Sequence, residues 1–251
     1  MFELQLNQGA VLLRKAVAPL VDLADFADVE ISPEEVILLT AGNPAISEED
    51  FVVLRIPEST FARFVCDFAG SFVLNLRRLY SNLNRAGDDD ALTIHGDDGD
   101  DLIGFVTVNS GTGEFGFSEM ELSESYAEGL DLPELDYEYR AIIGIPSEEF
   151  RHLIIHLHYF GNSVSVHATD TEVQFSAVNE EVVYRTELGE CIIGGVQHEH
   201  PVSLIFSLHF LSVILNACLL SNIVWLLQSD DLPPMLNCPV GSIGNLMFYF
   251  H

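Results

Sequence analysis

The chain states one structural pattern twice, in the same order. In the first half an amphipathic stretch from Gln8 to about Phe26 runs into Val29-Glu30-Ile31-Ser32, a polar Pro33-Glu34-Glu35 turn and Val36-Ile37-Leu38-Leu39. In the second half Ser147 to Phe160 runs into Val164-Ser165-Val166-His167, a polar Thr169-Asp170-Thr171 turn and Val173-Gln174-Phe175. Later in each half a strand passes straight into a helix, Phe72 to Asn75 into Leu76 to Ala86, and Ser203 to Phe206 into Ser207 to Ala217. The period of about 130 residues is the size of a domain rather than of a solenoid repeat. The pattern predicts two fused copies of one α+β domain, a design suited to pseudo-symmetric assembly.

Composition narrows the class further. With 251 residues and 48% hydrophobic content the chain can bury one large core or two smaller ones, which excludes a disordered polyelectrolyte. A formal net charge of −29 favours solubility and repels nucleic acid over most of the surface, so a polyanionic partner needs a locally basic patch. Cys66, Cys191, Cys218 and Cys238 lack metal-type spacing and are too scattered for a secreted disulfide scaffold, which points to a reduced intracellular compartment. Met1 to Leu6 alternates like a strand, and no basic region leading into an apolar run is visible there. Ser203 to Gln228 carries no Asp, Glu, Lys or Arg and is long enough to span a bilayer. It divides at Ser207 and Ser221-Asn222 into strand, helix and strand, so the expectation is a soluble core segment and no membrane partner.

The scarce positive charge is concentrated. Six of the ten basic residues, Arg14, Lys15, Arg77, Arg78, Arg85 and Arg151, lie on the four inferred helices. Any one of them reads as an ordinary solvated helix position. Their clustering on equivalent helices of two repeats predicts a weakly basic surface on an acidic body. Three other motifs carry less. Gly111-Thr112-Gly113-Glu114-Phe115-Gly116 spells GxGxxG, but the residues after it alternate like a strand instead of opening a phosphate-binding helix. Glu148, His152 and His156 share a helix face without a further ligand in a second segment, so no metal is expected. Asp88 to Asp90 and Asp97 to Asp101 suit exposed turns and lack the order of a calcium loop. No nucleophile-base-orienter set and no cofactor motif is evident, and the chain reads as a non-enzyme.

A run of short motifs, collinear along essentially the whole chain, resembles the eukaryotic sliding clamps of the proliferating cell nuclear antigen family. They include Met1-Phe2-Glu3-Leu4, Gln8-Gly9, Arg14-Lys15, Cys66-Asp67, Asn75-Leu76, Ala86 to Asp89, Glu119 to Leu122, Leu130 to Glu134, Pro146 to Phe150, Phe175-Ser176-Ala177 and Pro201-Val202. The resemblance implies an α+β fold of two tandem βαβββ-type clamp repeats, with the helices on one face of a curved sheet layer. The first repeat is expected over residues 1–120, an interdomain connector over 121–136 and the second repeat over 137–251. Three chains would close head to tail into a homotrimeric ring in the nucleus. Duplex DNA would pass through it without base-specific contact.

The same resemblance implies three sets of residues. Arg14, Lys15, Arg77, Arg78, Arg85, Arg151, His152 and His209 would face DNA. A client-peptide pocket would use Ala41, Ile46, Phe51, Leu130, Leu132, Pro133, Leu232, Pro233, Tyr249 and Phe250, receiving polymerase and other clamp-binding-motif proteins; a clamp loader is a further expected partner. The subunit interface would pair Glu114–Glu121 with Val182–Thr186 of a neighbour, using Phe72, Arg85, Phe115, Phe117, Leu157, Phe160, Val182 and Tyr184. The chain departs from the family where Val21, Ser81, Asn84, Glu114, His152, Ile155, His209 and Asn216 replace lining cations, and where Pro19 falls inside the first helix. An interior proline costs about 3 kcal/mol unless the helix kinks or breaks. Two function classes are implied: a DNA-encircling processivity and recruitment platform, or a clamp-fold interaction protein or heterotrimer subunit that binds clients or another clamp without tracking on DNA.

Overall fold

The computed structural model describes residues 1–6, 10–41, 50–67, 69–97, 99–124 and 138–250. These fall into two compact units, one of residues 1–41, 52–124 and 240–246, the other of residues 50–51, 138–239 and 247–250.

In the first unit β1 (Phe2–Leu6) leads to α1 (Ala10–Leu23), followed by β2 (Phe26–Ile31), β3 (Glu35–Ala41), β4 (Phe51–Pro57), β5 (Arg63–Cys66) and β6 (Gly70–Asn75). Then come α2 (Leu76–Leu83), β7 (Ala91–Gly96), β8 (Leu102–Val108), β9 (Phe115–Glu121) and β10 (Ser123–Glu124). One sheet has the order β5-β1-β7-β8-β9, and a second run of strands has the order β10-β6-β2-β3-β4. Alternating burial along β1, β2 and β7 gives each strand one core face, the period-two signal visible in the sequence.

The second unit repeats the plan. It contains β11 (Ala141–Pro146), α3 (Ser147–His158), β12 (Ser163–Ala168), β13 (Glu172–Ala177), β14 (Glu180–Arg185), β15 (Ile192–Gly194) and β16 (Val202–Ser207). Completing it are α4 (Leu211–Cys218), β17 (Ile223–Gln228), β18 (Met235–Val240) up to residue 239, and β19 (Gly244–Tyr249) from residue 247, residues 240–246 belonging to the first unit. Its strands run β14-β13-β12-β16 in one sheet and β15-β11-β17-β18-β19 in the other.

The duplication extends to register. Val29 faces Leu38 across β2 and β3 as Val166 faces Phe175 across β12 and β13. Ala27 faces Leu74 as Val164 faces Phe206. Ser32 Oγ accepts the backbone N–H of Glu34 and Glu35 at 3.3 Å, and Thr169 Oγ1 accepts those of Thr171 and Glu172 at 3.3 and 3.1 Å. Each turn is therefore closed by a hydroxyl that satisfies otherwise unpaired donors.

The helices start and stop for local reasons. Asn75 caps α2, its side chain accepting from Arg78 N at 2.9 Å. Glu148 and Glu149 occupy the first turn of α3 and His156 and His158 the last, the arrangement that the helix dipole favours. Pro19 neither ends nor breaks α1, which runs on to Leu23, so the break that an interior proline can impose does not occur. Pro19 is buried, so its ring packs in the core. Within Ser203–Gln228 the only helix is the eight-residue α4, and no helix among the described residues is long and apolar enough to cross a membrane.

Candidate DNA-facing helices and assembly edges

In each unit the two helices pack against each other, α1 on α2 and α3 on α4. Leu13, Ala16, Val17 and Leu20 turn the apolar face of α1 inward, which leaves Lys15 exposed and Arg14 half-buried on the other side. On α2 the inward Leu76, Leu79 and Leu83 leave Arg77, Arg78 and Ser81 on the exposed face, and Arg85 is exposed just beyond the helix. His152 and His156 are exposed on α3, where Arg151 is half-buried. The exposed positions of α4, Ser212 and Asn216, carry no charge.

Carboxylates hold half of the helix cations. Arg14 Nη2 lies 3.1 Å from Asp88 Oδ1, Arg77 Nε lies 2.9 Å from Asp25 Oδ1, and Arg78 Nη1 lies 3.3 Å from Glu121 Oε2. Lys15, Arg85 and Arg151 have no ion pair among the described residues, and Arg151 Nε is buried without a hydrogen-bond partner. The two histidines differ: His209 Nδ1 sits 3.8 Å from the buried Asp50 carboxylate, whereas His152 is solvent-facing. No cluster of three or more His, Cys, Asp or Glu side chains among the described residues is arranged to hold a metal, and His156 instead meets Glu180 at 3.1 Å.

Of the residues assigned to a client pocket, Ile46, Leu130, Leu132 and Pro133 lie outside the described residues, and Ala41 ends β3. Phe51 stacks on Tyr249 with ring centroids 4.6 Å apart. Tyr249 and Phe250 are buried, the latter packing on Phe206 and Phe210. Leu232 and Pro233 are half-buried. Tyr249 and Phe250 thus sit in the core of their unit.

Each unit also ends a sheet on a strand with no further strand paired to it among the described residues. β9 is the terminal strand of its five-stranded sheet, and it leaves Phe115 79% and Phe117 57% exposed. β14 terminates the four-stranded sheet, with Val182 and Tyr184 half-buried. Nearby, Phe160 is exposed at the end of α3 and packs edge-on against His156, while Leu157 is buried in the core. Phe72 stacks on Phe2 at 6.2 Å. The pKa of Tyr184 is pushed up to about 12 by burial and then by the charges of Glu149 and Glu190, so its hydroxyl stays protonated well into the alkaline range. Edge strands with unpaired backbone groups and apolar side chains are templates for pairing with another chain.

Sequence reasoning missed the acids that hold Arg14, Arg77 and Arg78. Asp88, Asp25 and Glu121 lie 74, 52 and 43 residues away along the chain, where no periodicity or motif ties them to the cations. It also missed the exposed Tyr159 and Val178, the latter a β-branched residue at φ 56° in the β13–β14 turn. A Val-Asn pair between two alternating strands is the one local signal for such a turn.

Two family models match the chain. The N-terminal domain of proliferating cell nuclear antigen matches residues 1–125, and its C-terminal domain matches residues 132–251.

Proposed function

The chain belongs to the proliferating cell nuclear antigen family, sliding clamps of DNA replication that raise processivity without catalysing a reaction, and on that premise we propose that it forms a homotrimeric ring around duplex DNA. The observation that carries this reading is the pair of edge strands, β9 with exposed Phe115 and Phe117 in one unit and β14 in the other. Pairing β9 of one copy with β14 of the next is a heterologous contact, the type that closes into a ring when the rotation permits. Burying the two phenylalanines adds about 1.5–3 kcal/mol each to the backbone hydrogen bonds formed.

In this ring the exposed faces of α1–α4 line the hole, and Arg14, Lys15, Arg77, Arg78, Arg85, Arg151, His152 and His209 face phosphate. Such a lining attracts the backbone weakly and reads no base, as sliding requires. Encirclement then holds a bound polymerase at high effective concentration on its template. The partners in this reading are a clamp loader in the nucleus and clients carrying a clamp-binding motif, held by Phe51, Leu232 and Pro233 together with Ala41, Ile46, Leu130, Leu132 and Pro133. The repeat boundaries at 120 and 137, with a connector between, belong to the same proposal.

One observation favours a second reading, a clamp-fold interaction protein or heterotrimer subunit that does not track on DNA: Asp88, Asp25 and Glu121 already occupy three of the six helix cations. Light scattering across a concentration series separates the two, together with loader-dependent loading on nicked circular DNA. A trimer retained on circles and released when they are linearised supports the ring. Monomer at high concentration, or a trimer that is never retained, supports the second reading.

A further inference from the structure

Comparing the two units position by position reveals a difference in their cores. Phe150 is the fourth residue of α3 and Leu13 the fourth of α1. By strand register Phe175 corresponds to Leu38 and Phe206 to Leu74. In the second unit the three phenylalanines form a cluster, Phe150 lying 6.4 Å from Phe175 and 6.2 Å from Phe206 between ring centroids, and all three are fully buried. In the first unit the three leucines at these places bound a cavity of about 60 Å³.

Two exchanges run the other way, Phe72 for Leu204 and Ile31 for Ala168, and both side chains also reach the cavity wall. They do not fill it, because the Phe72 ring is drawn aside onto Phe2. Every residue lining the cavity is apolar. A buried water needs two to four polar partners, which this wall does not supply, so the space suits a non-polar guest. A guest restores dispersion contacts that the lining side chains lack.

We propose that the first unit carries a binding site for a small non-polar guest of the size of a xenon atom, in the cavity bounded by Leu13, Leu38 and Leu74. The guest takes the place that aromatic rings occupy in the second unit. The site is independent of ring formation and of DNA.

The experiment uses the full-length chain, with thermal unfolding and methyl NMR under xenon. The unfolding midpoint should rise with xenon, the folding constant of the first unit increasing about elevenfold at ten times the dissociation constant. Methyl shifts should concentrate at Leu13, Leu38 and Leu74. Leu74→Phe, which supplies the second unit's residue, should abolish the guest response while unfolding no earlier than wild type without guest. Leu13→Phe provides the same test from the helix side. Absence of any guest-dependent methyl shift, or shifts centred on other residues, overturns the proposal, as does an undiminished guest response in both folded variants. Where neither variant folds, the wild-type methyl map decides alone.

Discussion

If the helix faces meet DNA as proposed, the three carboxylates that hold Arg14, Arg77 and Arg78 set how tightly that surface binds. Asp88, Asp25 and Glu121 are 76%, 63% and 76% exposed, so each pair adds at most about 1 kcal/mol to folding. In the proposed ring the same attraction would compete with DNA. Unit charges about 4 Å apart in water attract by about 1 kcal/mol, and a phosphate must overcome this before it engages the arginine. Replacing the acids by isosteric amides, Asp88→Asn, Asp25→Asn and Glu121→Gln, removes the competitor and leaves the guanidinium in place. Each change should tighten binding to a short duplex up to about fivefold. The triple variant should steepen the dependence of log K on log salt by about 0.9 for each phosphate newly engaged, and anisotropy titrations between about 50 and 200 mM salt would read this directly. Asp230→Asn is the control, because Asp230 holds Arg140 in an equally exposed pair at 2.9 Å that involves no helix. If the triple variant keeps wild-type affinity and slope, or the control matches it, the helix faces are not the DNA-facing surface.

Tyr184 should resist ionisation in an alkaline absorbance titration until about pH 12, and Glu149→Gln should lower that midpoint. Because its folded pKa lies above the unfolded value of 10.0, its contribution to stability is intact below pH 10 and falls as pH rises from 10 towards 12; stability that rises across this window would refute the assignment. Burial raises the pKa of Cys191, and Cys218 and Cys238 are buried, so a thiol reagent should modify only Cys66 in the native protein and all four after denaturation. Rapid native modification of Cys238 would contradict the packing of β18. Gly244→Ala should destabilise the fold by more than about 3 kcal/mol in denaturant unfolding, since φ is 154° and a Cβ there would collide with the Arg55 carbonyl; a near-neutral effect would place β19 wrongly.

Much of this architecture was legible because its causes are local. Alternation of period two marks β2, β3, β12 and β13, and the hydroxyl-closed turns at Ser32 and Thr169 are written in a few adjacent residues. The inward leucines of α2 fix which face its arginines share, so helical spacing alone puts Arg77 and Arg78 together. The duplication could likewise be read from order alone, since both units reuse one sequence of elements.

What the sequence could not supply are relations between residues distant along the chain. That Asp25 meets Arg77, or that Asp88 meets Arg14, depends on how strands and helices pack, and an acid-rich sequence offers many candidate partners for each cation. Burial of Tyr249 and Phe250 reflects stacking on Phe51 and packing on Phe206, contacts that an apolar C-terminus does not specify. The sequence determined that each unit has an apolar core with equivalent helix and strand positions. Only tertiary packing decided that leucine at three of those positions borders a cavity in one unit where phenylalanines cluster in the other, because a cavity is set by the sum of side-chain volumes that meet in space.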